Sequence, residues 1–106
     1  MIRKAFFMKV KPGCIEKYTQ LHNPIPDDFK TVLQKHGVHN YSIFHHPESN
    51  TIVGYMEIED IEEIKKISSY PCAHAWWKCM TQYLECRNPG DEKAIEDEMQ
   101  QVFFME

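Results

Sequence analysis

Glycine is scarce in this chain, four of 106 residues. No glycine-rich phosphate loop, G-x-S-x-G elbow or Walker pattern is present, which removes the commonest nucleotide-binding and serine-hydrolase signatures. Long apolar runs are also missing. None approaches the ~18 residues that a membrane-crossing helix requires. The opening stretch, Met1-Ile2-Arg3-Lys4-Ala5-Phe6-Phe7, reads as a strand with neither an h-region nor a small-residue cleavage site, so a soluble cytoplasmic protein is expected. Positive charge is thin. Twelve Lys and Arg stand against sixteen Asp and Glu, and the only adjacent basic pairs are Arg3-Lys4 and Lys65-Lys66. With no basic stripe to neutralise phosphates, nucleic acid is excluded as a partner. The four cysteines, Cys14, Cys72, Cys79 and Cys86, contain no C-x-x-C pair. The last three recur every seven residues, which on a helix is one face and not a tetrahedral cage. A zinc site on Cys72, His74, Cys79 and a distant ligand is conceivable. Small buried thiols in a reducing compartment are the simpler reading, and no metal is expected.

Aromatic residues make up 12% of the chain and hydrophobic residues 42%. A chain of this size forms one domain, here residues 1–106, and buries roughly 60–68% of its unfolded surface. Residues 2–10 alternate as a strand, with Ile2, Phe6, Met8 and Val10 on one face and Ala5 and Phe7 on the other. Lys11-Pro12-Gly13 ends it. Ile15, Tyr18, Leu21 and His22 have helical spacing, and Asn23-Pro24-Ile25-Pro26 interrupts that helix. Asp27-Asp28 opens a second helix, carried by Phe29, Val32 and Leu33 and stopped at Gly37. Residues 38–46 and 51–58 read as a hairpin around Pro47-Glu48-Ser49-Asn50, with Val38, Asn40, Ser42 and Phe44 on one face of the first strand and His39, Tyr41, Ile43 and His45 on the other. Asp60-x-x-Glu63 opens a short helix as a capping-box variant. A helix bearing Trp76 and Trp77 is expected to run to about Cys86, before Asn88-Pro89-Gly90. Residues 91–97 read as solvated or mobile, and Met99 to Met105 as the last strand, centred on Val102, Phe103 and Phe104. The order β-α-β-β-α-β is the ferredoxin-like arrangement, an α+β fold with an antiparallel sheet. Its helices cover one face only. Phe and Met on the other face call for a cover, and a second copy closing a dimeric barrel is the simplest.

The two tryptophans are adjacent and point about 100° apart on a helix, so both can be plain core or one can wall a cavity. Tyr18 and His22, at i and i+4, share a helix face. They read either as a half-buried ring and a helix-end cap, or as a phenol beside a proton-handling imidazole. Tyr41 is a cross-strand packing aromatic or a third wall of the same site. His36 reads as a cap on its helix dipole, His39, His45 and His46 as solvated strand-edge residues, and His74 as an exposed first-turn residue. Two indoles, two phenols and one histidine without a buried carboxylate set describe a pocket for a neutral polar ligand. Sugars suit it, since their C–H faces lie on aromatic rings and their hydroxyls pair with indole N–H and phenol groups.

Five fragments in order carry a family resemblance: Met1-Ile2-Arg3-Lys4-Ala5-Phe6, Tyr18-x-x-x-His22-Asn23-Pro24-Ile25, Gly37-x-His39-Asn40-Tyr41, Trp76-Trp77-Lys78-x-Met80-Thr81 and Gln101-Val102-Phe103. Together they resemble the L-rhamnose mutarotases over almost the whole chain. The resemblance implies a cofactor-free homodimer of ferredoxin-like subunits that interconverts the α and β anomers of L-rhamnose or a related 6-deoxy aldose. By that resemblance His22 is the proton donor, and Tyr18, Tyr41, Trp76 and Trp77 bind the sugar. After Ile25 the family usually has an aromatic residue followed by Pro-Glu, where this chain has Pro26-Asp27-Asp28-Phe29. Another cofactor-independent dimeric-barrel enzyme of oxygenase type, or a sugar-binding module without catalysis, would present much the same inventory.

Overall fold

The computed structural model describes residues 1–106. Its elements run β1 (Ile2–Lys9), α1 (Ile15–Leu21), α2 (Asp27–Lys35), β2 (Val38–His46), β3 (Thr51–Ile58), α3 (Ile61–Lys65), a 3₁₀ turn (Lys66–Ser69), α4 (Pro71–Met80) and β4 (Asp97–Met99). The four strands form one sheet in the order β2-β3-β1-β4, every neighbour antiparallel. This is the ferredoxin-like topology.

Register decides which side chains meet the helices. Ile2, Lys4, Phe6 and Met8 of β1 pair with Ile58, Met56, Gly54 and Ile52 of β3, and this set faces the helices. Gly54 is needed there. A Cβ at that position would stand 2.2 Å from Cζ of Phe6, so the tip of that ring occupies the space a side chain would need. Two clusters fill the space under the helices. Phe6, Val10, Tyr18, Ile52, Met80 and Leu84 form one, and Phe29, Val32, Val38, Ile58, Ile67 and Ala73 the other. Met56 and Trp76 pack against both, so they mark the seam between them.

Strand β2 departs from simple alternation. Its register slips between His39 and Ser42, where Asn40 adopts a positive φ of 49°. Two residues then stand where one would fit, as in a β-bulge. Beyond the bulge Ser42 and Phe44 pair with Tyr55 and Val53 on the open face, which leaves Tyr41 and Ile43 on the helix face. Tyr41 therefore shares a face with Val38, contrary to the period-2 expectation.

The chain after the tryptophans also differs from expectation. Helix α4 ends at Met80 and not near Cys86. The backbone of residues 83–85 is claimed by β1: Lys11 N–H donates to the Tyr83 carbonyl, Glu85 N–H to that of Lys9, and Leu84 bridges Val10. Leu84 is sealed in the core, a gain that an extra helical turn would forfeit. Residues 91–96 are held in place. Lys78 Nζ donates to the carbonyls of Gly90 and Asp91, Ile95 N–H donates to Glu85, and Ala94 packs on the core. The last strand is Asp97–Met99, pairing with Ala5 to Phe7, and the apolar residues from Val102 to Met105 lie beyond it, exposed. Phe104 is the least exposed of them because the Arg3 guanidinium stands 3.5 Å from its ring centre.

His36 is likewise more than a dipole cap. It is buried, with Nδ1 2.8 Å from Glu63 Oε1 and Nε2 2.9 Å from the Tyr70 hydroxyl, so it ties α2 to the α3–α4 segment.

Candidate active site

Helix α1 places Tyr18 and His22 one turn apart on the face turned to the sheet. Their rings lie 4.2 Å apart, centre to centre. His22 closes the helix, and its Nδ1–H donates to the Tyr18 carbonyl at 2.7 Å. That bond meets a carbonyl orphaned by the end of the helix, and it fixes the tautomer, leaving Nε2 with its lone pair. Burial lowers the His22 pKa below the ordinary imidazole value, only partly opposed by the backbone bond. At neutral pH the ring is uncharged. Its edge-on neighbour on α4 is Trp76 at 4.9 Å, and Phe29 of α2 stacks on that indole at 5.8 Å with planes 25° apart. Aromatic contacts of this kind contribute ~0.5–1.5 kcal/mol each beyond area burial, so Trp76 is a fixed wall.

Tyr41 enters from the opposite edge of the sheet. Its ring meets Phe6 edge-on at 6.3 Å. Burial raises its phenol pKa, and the charges of Tyr18 and Glu96 raise it further. Yet the residue keeps 40% of its surface open to solvent. One edge of the ring is covered by Phe6 and the rest is open to a ligand. Tyr18 is the more enclosed of the two. It is only 5% exposed and burial pushes its phenol up, but no protein group pairs with its hydroxyl and no sealed, unpartnered polar side-chain atom exists. The hydroxyl must open onto solvent-reachable space.

The structure thus brings Tyr18, His22 and Trp76 together between α1, α4 and the sheet, and Tyr41 joins them through Phe6, which packs in the same cluster as Tyr18. Trp77 points round the helix, its ring 5.5 Å from that of His74 and capped by the Lys93 ammonium at 4.1 Å. His74 itself is held between Glu92 and the Ser68 carbonyl, which raises its pKa. Phe29 backs the site although its sequence pattern shows only a core residue of α2. Its spacing with Val32 and Leu33 marks it as core, and its stacking on Trp76 is a tertiary contact that leaves no local mark. A surface concavity of about 450 Å³ lies elsewhere, among Lys11, Lys78, Thr81, Cys86 and Asp91. Its lysines are spent on backbone carbonyls, and it holds none of the aromatic or imidazole groups described above.

No group of three or more His, Cys, Asp or Glu side chains is placed to hold a metal ion. The arrangement is an uncharged proton acceptor between phenol donors and an indole wall, which suits proton transfer on a polyhydroxylated ligand. A family model for L-rhamnose mutarotase matches residues 3–105. The chain belongs to the L-rhamnose mutarotase family. It is 42% identical to the L-rhamnose mutarotase of Opitutus terrae over 106 residues, the full length of both chains. The crystal structure of an L-rhamnose mutarotase from Formosa agariphila superposes with a TM-score of 0.86 at 27% identity, covering both chains completely. A dimeric ferredoxin-like protein from an uncultured marine organism shares the fold alone, with a TM-score of 0.61 at 12% identity over 97% of this chain and 94% of that one. Mutarotases interconvert anomers, so the chain is a carbohydrate isomerase.

Proposed function

We propose that this protein interconverts the α and β anomers of L-rhamnopyranose, with His22 as the proton-transfer group and Tyr18, Tyr41, Trp76 and Trp77 as sugar-binding residues. The observation that carries this is the imidazole of His22, neutral and with Nδ1 engaged, whose Nε2 is free beside Tyr18 and Trp76. Nε2 takes the proton of the anomeric hydroxyl. The resulting imidazolium gives it to the ring oxygen as the C1–O5 bond breaks, leaving the open aldehyde and a neutral imidazole. Rotation about C1–C2 presents the other carbonyl face. The same steps in reverse close the ring as the opposite anomer. His22 is thus acceptor first and donor second, and protons balance without another group. The phenols, held protonated by burial, donate hydrogen bonds to the oxygens in play. Trp76 offers the indole face that Phe29 leaves free for the sugar's C–H surface. Trp77 enters as the outer residue of the set, through the family resemblance, with His74 and Lys93 already on its ring.

The protein acts as a homodimer through the sheet face that the helices leave bare. Phe44, Val53 and Phe7 form an apolar row across three strands there, with Phe44 68% exposed. No helix is long and apolar enough to cross a membrane, in keeping with work in the cytoplasm.

NMR saturation exchange between the two anomer signals of L-rhamnose tests the reading. Acceleration over buffer is expected at catalytic enzyme concentration. No acceleration by the wild-type protein overturns it.

A further inference from the structure

On the helix-covered face of the sheet stands one ion pair, Lys4 Nζ at 3.1 Å from Glu98 Oε1. The strand register puts both groups on the side of Phe6. Lys4 is opposite Met56 of β3, and Glu98 is opposite Phe6 itself. Both landmarks touch or flank residues of the candidate site. Phe6 carries the edge contact with Tyr41, and Met56 lies with Trp76 on the seam between the two core clusters. The Lys4 side chain keeps only 24% of its surface, whereas Glu98 keeps 68%. The ammonium therefore sits inward and the carboxylate at the rim.

As a stability device this pair does little. Part-exposed ion pairs contribute about 0–1 kcal/mol, and drawing a lysine inward costs solvation. Its bonding capacity is more telling. An ammonium has three donors, and Glu98 takes one of them. Two remain, beside a carboxylate with lone pairs to spare, on the sheet face that also carries Phe6 and its Tyr41 contact.

We propose that Lys4 and Glu98 form a diol-gripping pair at the sheet-side rim of the sugar site: the ammonium donates to one sugar hydroxyl oxygen while the carboxylate accepts the O–H of its neighbour. This deepens the mutarotase reading and rests on it. The pair is a positioning device, remote from the proton moved by His22. It makes recognition of the sugar depend on two adjacent hydroxyls away from C1.

Lys4→Met and Glu98→Gln test this, with KM and kcat taken from anomer exchange on L-rhamnose and on analogues lacking one ring hydroxyl in turn. A lost charge-assisted hydrogen bond corresponds to roughly a 10- to 100-fold rise in KM. Expected is that rise with kcat changed less than about threefold, and no further rise on the analogue whose missing hydroxyl was the partner. Unchanged KM in both variants, with an active wild type, overturns the pair's role and leaves the mutarotase reading standing. No exchange by wild type overturns both. If Lys4→Met does not fold, as judged by circular dichroism, Glu98→Gln decides alone, because its side chain is mostly in solvent.

Discussion

The imidazole of His22 spends its Nδ1 proton on the carbonyl oxygen of Tyr18, one turn back on the same helix, at 2.7 Å. The acceptor is backbone, so the tautomer does not depend on what the Tyr18 side chain is doing. Burial then keeps the ring neutral by lowering its pKa.

The sign of the pH dependence follows. The active form is the neutral ring, so exchange is at its plateau above the ordinary imidazole value of about 6.5. It falls as pH drops through the lowered value. Stability moves the same way. The unfolded imidazole protonates first, so the contribution of the neutral buried ring is present above about 6.5 and is lost as pH falls. Exchange rates across pH, corrected for buffer, check the first statement. Urea midpoints across the same range check the second. A rate that climbs on acidification would make the resting imidazolium the working species.

Replacing the groups separately divides their roles. His22→Ala is expected to lower kcat/KM by about 10²–10⁴-fold, the usual contribution of positioned acid–base catalysis, in a protein that still folds because the ring is only half-buried. Tyr18→Phe keeps the carbonyl acceptor and so the His22 tautomer, and loses only the hydroxyl. A loss of about tenfold is expected, shared between KM and kcat. If Tyr18→Phe is as damaging as His22→Ala, the phenol itself carries the proton.

The two tryptophans are expected to separate in the same assay. Trp76 is wedged between His22 and Phe29, so Trp76→Ala removes a pocket wall and a core contact together. Its cost is expected at about 3–5 kcal/mol of stability, with activity lost. Trp77→Ala leaves those contacts intact and frees Lys93 and His74. A milder effect is expected, a rise in KM with the fold retained. Equal KM for Trp77→Ala and wild type would remove Trp77 from the sugar site.

Sequence carried the topology well and the site in part. Helical spacing put Tyr18 and His22 on one face, and it is local geometry that makes this legible. The bulge at Asn40, which turns Tyr41 toward the helices, needs a positive φ that alternation alone does not show. The end of α4 at Met80 was hidden for another reason. The backbone of residues 83–85 bonds to residues about 74 positions earlier, and such competition leaves no local mark. The same holds for the last strand. Apolar residues from Val102 to Met105 look like a strand because they need cover, not because they pair within this chain. The role of His36 is hidden in the sequence because Glu63 and Tyr70 come to it through tertiary structure.

Gly54 offers a test of the packing that seats Tyr41. A methyl there would collide with the Phe6 ring at 2.2 Å, and the ring has the Tyr41 edge on one side and core on the other. Gly54→Ala is expected to cost about 1–3 kcal/mol, the range for overpacking. Urea denaturation measures that. KM should rise as well, because displacing Phe6 displaces Tyr41. A stable Gly54→Ala protein with normal KM would show that the ring has room to move.

The open sheet face is the surface on which the proposed dimer is built. Phe44 is its most exposed large side chain, and it pairs across β3 with Val53, which in turn faces Phe7. A carboxylate at position 44 would have to be desolvated in any interface built on this row, at a cost of several kcal/mol per ion. The site lies on the other side of the sheet, so the chemistry is separable from assembly. Phe44→Glu is expected to convert a dimer to a monomer in sedimentation velocity while leaving the circular dichroism spectrum unchanged. Anomer exchange should persist in that monomer, weakened only as far as the sheet loses rigidity. A wild-type protein that sediments as a monomer, or a Phe44→Glu protein that remains a dimer, would place the interface elsewhere or remove it.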